Sequence, residues 1–185
     1  MVAFTRSCLP LESPSLLDIV PFGGVAEKGD FIEWPPDRSF KMSVVGFREC
    51  YQHVVQIKIS DKAEVAINVV SLAGLTILKL ISWDENSDRR HKDASDLFFI
   101  IQNYLDAGNL ERLFDEAPDI VDSGDYNYEA GSARLLGRDI SKFAFSTTKA
   151  KLIEILKRES QWTYFRVTGL LRNHTKKLLL FSTLC

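Results

Sequence analysis

His53-Val54-Val55-Gln56-Ile57-Lys58-Ile59, then Glu64-Val65-Ala66-Ile67-Asn68-Val69-Val70, then Ser71-Leu72-Ala73-Gly74-Leu75-Thr76-Ile77-Leu78-Lys79-Leu80-Ile81: the fold turns on this stretch. The first two segments alternate and are rich in Val and Ile, which suit a pleated strand. Ser60-Asp61-Lys62-Ala63 makes a tight connection between them, so the pair reads as a β-hairpin. After Val70 the period changes. Ser71 offers a hydroxyl to cap a helix running to about Trp83. Leu72, Leu75, Ile77, Leu78, Leu80 and Ile81 make that helix apolar almost all round, which predicts burial. Lys79 is its only charge before Asp84.

Downstream the chain reads as helical. Asp84 to Asp88 is a polar break, and a second helix follows to about Tyr104, with Leu97, Ile100, Ile101 and Tyr104 on one face. Asn109 is placed to cap a short helix that ends before Pro118. Asp122 to Asn127 is a loop, then Tyr128 to Phe145 and Ser146 to Arg158 read as two amphipathic helices, the second capped by Ser146. From Ser160 to Cys185 there is no acid, and Arg166, Arg172, Lys176 and Lys177 make the tail basic.

Upstream the signals are those of strands and turns. Residues 1–15 contain Pro10 and Pro14 and read as an irregular arm. Residues 16–22 read as a buried strand, with turns at Gly23-Gly24 and Gly29-Asp30. Trp34-Pro35-Pro36-Asp37 marks a loop; a short strand is expected near Lys41 to Val45 and a helical turn at Phe47 to Tyr51. The expectation is α+β: an arm (1–15), a partial mixed β-sheet (16–70), a helical bundle (71–158) and a basic tail (159–185).

Bulk composition narrows the classes. With 185 residues, 45% hydrophobic and 26% charged, the chain is long enough to bury a core without staples. A formal net charge of −2 gives no global electrostatic case for nucleic acid or an acidic membrane. Cys8, Cys50 and Cys185 are far apart and odd in number, which argues against a disulfide framework and for a reducing cytoplasm. His53, His91 and His174 have no ligand spacing to a cysteine or to each other, so no structural zinc site is expected. No run approaches the roughly 20 apolar residues of a membrane span.

Two places carry candidate chemistry. Asp93 and Asp96, three apart, share one face of the second helix, within reach of Lys79 on its buried neighbour. A buried lysine needs a partner, because an isolated buried charge is costly. Lys79 therefore either ties the two helices through Asp93 or Asp96, or meets a phosphate. The other place is Asp18, set in Leu16-Leu17-Asp18-Ile19-Val20. It is either an edge-strand acid facing water or an acid held by a metal or a lysine.

In order, Leu17-Asp18-Ile19-Val20-Pro21-Phe22-Gly23-Gly24, Trp34-Pro35-Pro36, Met42-Ser43-Val44-Val45-Gly46-Phe47, Ser71-Leu72-Ala73-Gly74-Leu75, Leu78-Lys79-Leu80 and Lys92-Asp93-Ala94-Ser95-Asp96-Leu97 resemble bacterial nucleotidyltransferases of the polymerase-β-like superfamily. The resemblance covers roughly residues 16–158 and lies close to AbiEii-type toxins of type IV toxin–antitoxin systems. It implies transfer of a nucleoside monophosphate from an NTP to a hydroxyl on RNA or protein, with Mg2+ ions flanking the transferred group. It implies that Asp18 is the catalytic acid that binds the metal and that Lys79 lies near the triphosphate. Asp93 and Asp96, with Lys92 of the same motif, would order the site from behind.

The sequence departs from that family in one respect. No two carboxylates stand at i and i+2 anywhere, and Gly23-Gly24 follows Asp18 instead of preceding it. The paired acids and phosphate turn of the family's N-terminal part have no counterpart here, so transfer is expected to be impaired or absent. The alternative expectation is a non-catalytic nucleotide- or protein-binding module related to toxin–antitoxin proteins. A sheet short of a strand has an open edge, which predicts a homodimer through that edge or an aggregation-prone chain.

Overall fold

The computed structural model describes residues 19–24, 26, 30–34, 36–59, 65–86 and 90–166. The chain forms two compact units, residues 1–44 and 45–185.

In the first unit β1 (Phe31–Trp34) pairs antiparallel with β2 (Phe40–Ser43), with Glu33 opposite Lys41. Those two side chains meet at 2.7 Å, the opposite-charge cross-strand pairing that favours this register. The expected loop at Trp34–Asp37 falls in the turn of this hairpin. Asp37 Oδ1 accepts from the Ser39 N–H and hydroxyl at 3.2 and 3.0 Å, and the Arg38 N–H returns to the Trp34 carbonyl at 3.1 Å. The expected strand at residues 16–22 is corrected in part. Ile19 to Phe22 hold no regular structure, and residues 16–18 lie outside the described set. Pro21 has no N–H to give to a ladder, and Gly23 at φ 79° turns the chain directly after it.

The second unit opens with Gly46 at φ 84°, ahead of the short helix α1 (Phe47–Gln52). A Cβ there would stand 2.7 Å from Ile77 Cγ2, so both the backbone angle and the close approach demand glycine. The hairpin follows as β3 (Val54–Lys58) and β4 (Ala66–Val70), in register from Val54↔Val70 to Lys58↔Ala66. One mixed sheet was the expectation. Among the described residues there are instead two separate two-stranded antiparallel sheets.

Helix α2 (Leu72–Glu85) starts one residue after β4. Ser71 caps it, its hydroxyl accepting from the Gly74 N–H at 3.2 Å. It packs on α3 (Arg90–Asn103), α6 (Tyr128–Phe143) and α7 (Ser146–Arg166). Ile77, Leu80 and Ile81 of α2, Leu97 and Ile101 of α3, and Leu135 and Leu136 of α6 share one core. Each such side chain removed from water contributes about 1.5–3 kcal/mol. Between α3 and α6 run a one-turn kink (Leu105–Asn109), α4 (Leu110–Glu116) and α5 (Pro118–Val121).

Two expected caps differ in detail. Asn109 precedes α4, but its side chain does not cap it. Its Nδ2 donates to the Tyr104 carbonyl at 2.7 Å and its Oδ1 accepts from Arg112 at 2.6 Å. Ser146 is the first residue of α7 instead of its cap. The cap comes from α1: the buried Glu49 carboxylate accepts from the Phe145 N–H and the Thr148 hydroxyl. Helix α7 also continues to Arg166, through the start of the expected tail.

Candidate functional site

Helix α2 presents Lys79 on the side facing α3, and the i, i+3 spacing of α3 brings Asp93 and Asp96 together beneath it. The Lys79 ammonium donates to Asp93 Oδ1 at 2.8 Å and to Asp96 Oδ2 at 2.6 Å. Asp93 is fully buried. Its second oxygen, Oδ2, accepts from the Ser82 hydroxyl at 2.8 Å. Both carboxylate oxygens of the buried acid are thus satisfied, which is the condition for burying such a charge.

Burial pulls the Lys79 ammonium down, but hydrogen bonds to Asp93 and Asp96, with their charges, outweigh it and hold its pKa above the ordinary lysine range. The contact expected to tie the two helices, Lys79 with Asp93 and Asp96, is present.

The remaining expected site residues fall differently. Lys92 is exposed on α3, outside the cluster. Asp18 lies outside the described residues. Among the described residues no group of three or more His, Cys, Asp or Glu side chains is placed to hold a metal ion. Asp93 and Asp96 already face the Lys79 ammonium, so this pair does not fit Mg2+.

Sequence reasoning passed over Ser82, although it stands one turn beyond Lys79 on the same face of α2. Asp84, the last residue but one of the same helix, falls in the sequence reading only within a polar break. Its largely buried carboxylate pairs with Arg158 and, at 3.3 Å, with Lys151, both on α7. A second network ties Tyr104, the residue after α3, to α4 and α6. Asp139 accepts from Tyr104 at 2.6 Å, from Arg112 at 2.8 and 3.1 Å, and from Lys142 at 3.0 Å. Burial lifts the Asp139 carboxyl, yet the Arg112, Tyr104 and Lys142 hydrogen bonds overcome it and hold it below its ordinary value. Cys50 is buried against α2, its thiol donating to the Gly74 carbonyl at 3.3 Å. Burial, then the Glu49 charge, pushes that thiol up to about 12, so it is not a nucleophile at neutral pH.

No helix among the described residues is long and apolar enough to cross a membrane. No protein-family model matches the chain, and no match is found among the curated proteins or the solved structures.

Proposed function

We propose that this chain is a nucleotidyltransferase-type domain that does not itself transfer nucleotides and serves as a protein-binding module. One observation carries the reading: the Lys79 ammonium is held between Asp93 and Asp96. A lysine matched by two carboxylates stabilises the contact of α2 with α3 and has no positive charge to spare for a triphosphate. The absence of paired carboxylates at i and i+2 from the sequence supports the same reading.

The test is incubation of the purified full chain with Mg2+, each labelled NTP, and RNA or protein acceptors, beside a thermal scan with Mg-ATP. The reading expects no incorporation and no rise in midpoint, since only a ligand of the folded state raises it. Incorporation that Asp18→Asn abolishes would sink it.

A second reading, nucleoside monophosphate transfer, is favoured by one fact. Lys79, Asp93 and Asp96 converge, as the family resemblance implies for the residues behind its site. The labelled-nucleotide assay decides between the two.

A further inference from the structure

Helix α7 is fastened to its neighbours by buried acids more than by apolar packing. Thr148, Lys151, Leu152, Ile155 and Arg158 follow one another at three- and four-residue steps, so they share one helix face. Leu152 and Ile155 are the buried aliphatic side chains of that face. Helix α6, of similar described length, buries seven of its 16 residues. The other three side chains of the α7 face are polar, and each ends on a carboxylate that is itself out of water. Thr148 donates to Glu49 of α1, which is 2% exposed. Lys151 and Arg158 both reach Asp84 of α2, whose side chain is 7% exposed.

Such contacts hold a helix conditionally. A buried ion pair that opens regains the hydration of both partners, so its net stabilisation is far smaller than its Coulomb attraction. What remains to hold α7 is chiefly Leu152 and Ile155. The core beneath is made mostly of side chains that α2, α3 and α6 supply themselves. Ala144 and Phe145 join α7 to α6, and among the described residues no element follows α7. It can lift without drawing another described element with it.

We propose that α7 is a strap that opens from α1 and α2 as one unit, hinged at Ala144 and Phe145, while α2, α3 and α6 stay packed. Cooperative units that open below the global transition are the sparsely buried ones. Opening bares the Glu49 and Asp84 carboxylates together, with the aliphatic surface under Leu152 and Ile155.

The test is native-state hydrogen exchange of the full chain over low urea concentrations. Amides of residues 150–159 should exchange together, faster than the most protected amides of α2, α3 and α6 and with a weaker urea dependence. Asp84→Asn should speed that exchange by about tenfold, the loss of one charge-assisted hydrogen bond. Asp139→Asn, whose partners lie outside α7, should speed the slowest amides of α3 and α6 and leave residues 150–159 unchanged. Exchange of α7 only with the slowest amides of the core would overturn the proposal. So would an Asp139→Asn effect on α7 as large as that of Asp84→Asn. Should Asp84→Asn fold poorly, Arg158→Gln reads the same contact from its more exposed side. An unchanged α7 rate in that variant refutes the clamp.

Discussion

Glu49 and Thr148 meet at 2.5 Å across 99 residues of sequence. The Glu49 carboxylate also accepts from the Phe145 N–H at 3.3 Å, so a side chain from α1 supplies the missing partner at the start of α7.

Removing that partner leaves the buried Thr148 hydroxyl and the partly buried Phe145 N–H without their acceptor. Glu49→Ala is expected to cost about 1–3 kcal/mol of unfolding free energy. Glu49→Gln, whose amide oxygen still accepts, should cost less. Urea denaturation of the two variants measures this, and equal losses would show that the cap is not the cause.

The Lys79–Asp93 contact predicts non-additivity. Lys79→Met leaves the buried Asp93 carboxylate without its cation and is expected to cost about 3 kcal/mol. Adding Asp93→Asn removes the orphaned charge and should recover part of that loss. A double-mutant cycle by denaturation tests it; strictly additive losses would mean the two side chains are energetically independent.

Asp139 gives a pH dependence with a definite sign. Unfolded, an aspartate titrates at about 3.9, and the Arg112, Tyr104 and Lys142 contacts hold the folded carboxyl lower. Its contribution is therefore complete above the unfolded value and is lost as pH falls through the folded one. Asp139→Asn lacks this contribution, so the stability gap between wild type and variant should be widest near neutral pH and narrow in acid. Denaturation curves across that range check it, and a gap that stays constant would rule Asp139 out as the group responsible.

Much of the second unit was legible because its determinants are local. Alternating Val and Ile specify β3 and β4, Ser71 caps α2 through its own hydroxyl, and the i, i+3 spacing sets Asp93 beside Asp96. Lys79 was legible for a related reason: one charge in a helix otherwise apolar must find a counter-charge. The Glu49 cap was not, because nothing near Phe145 announces an acceptor that lies 96 residues away. Strand β1 was passed over because its four residues end at Trp34, immediately before Pro35-Pro36. Residues 16–22 show the converse. Their composition favours a strand, but Pro21 and the turn at Gly23 leave Ile19 to Phe22 outside any ladder. That both faces of the hairpin stay exposed over Val55 to Ile59 and Val65 to Asn68 could not be read either, since alternation fixes which residues share a side but not what that side meets.

Only Ser71 separates the last residue of β4, Val70, from the first residue of α2, Leu72. No slack joins the two, and the hydroxyl of Ser71 is itself bound into the helix. Strand and helix therefore behave as one rigid lever. A load placed on the outer end of the hairpin becomes torque on α2, and about two turns along that shaft stands Lys79, clamped to its neighbour.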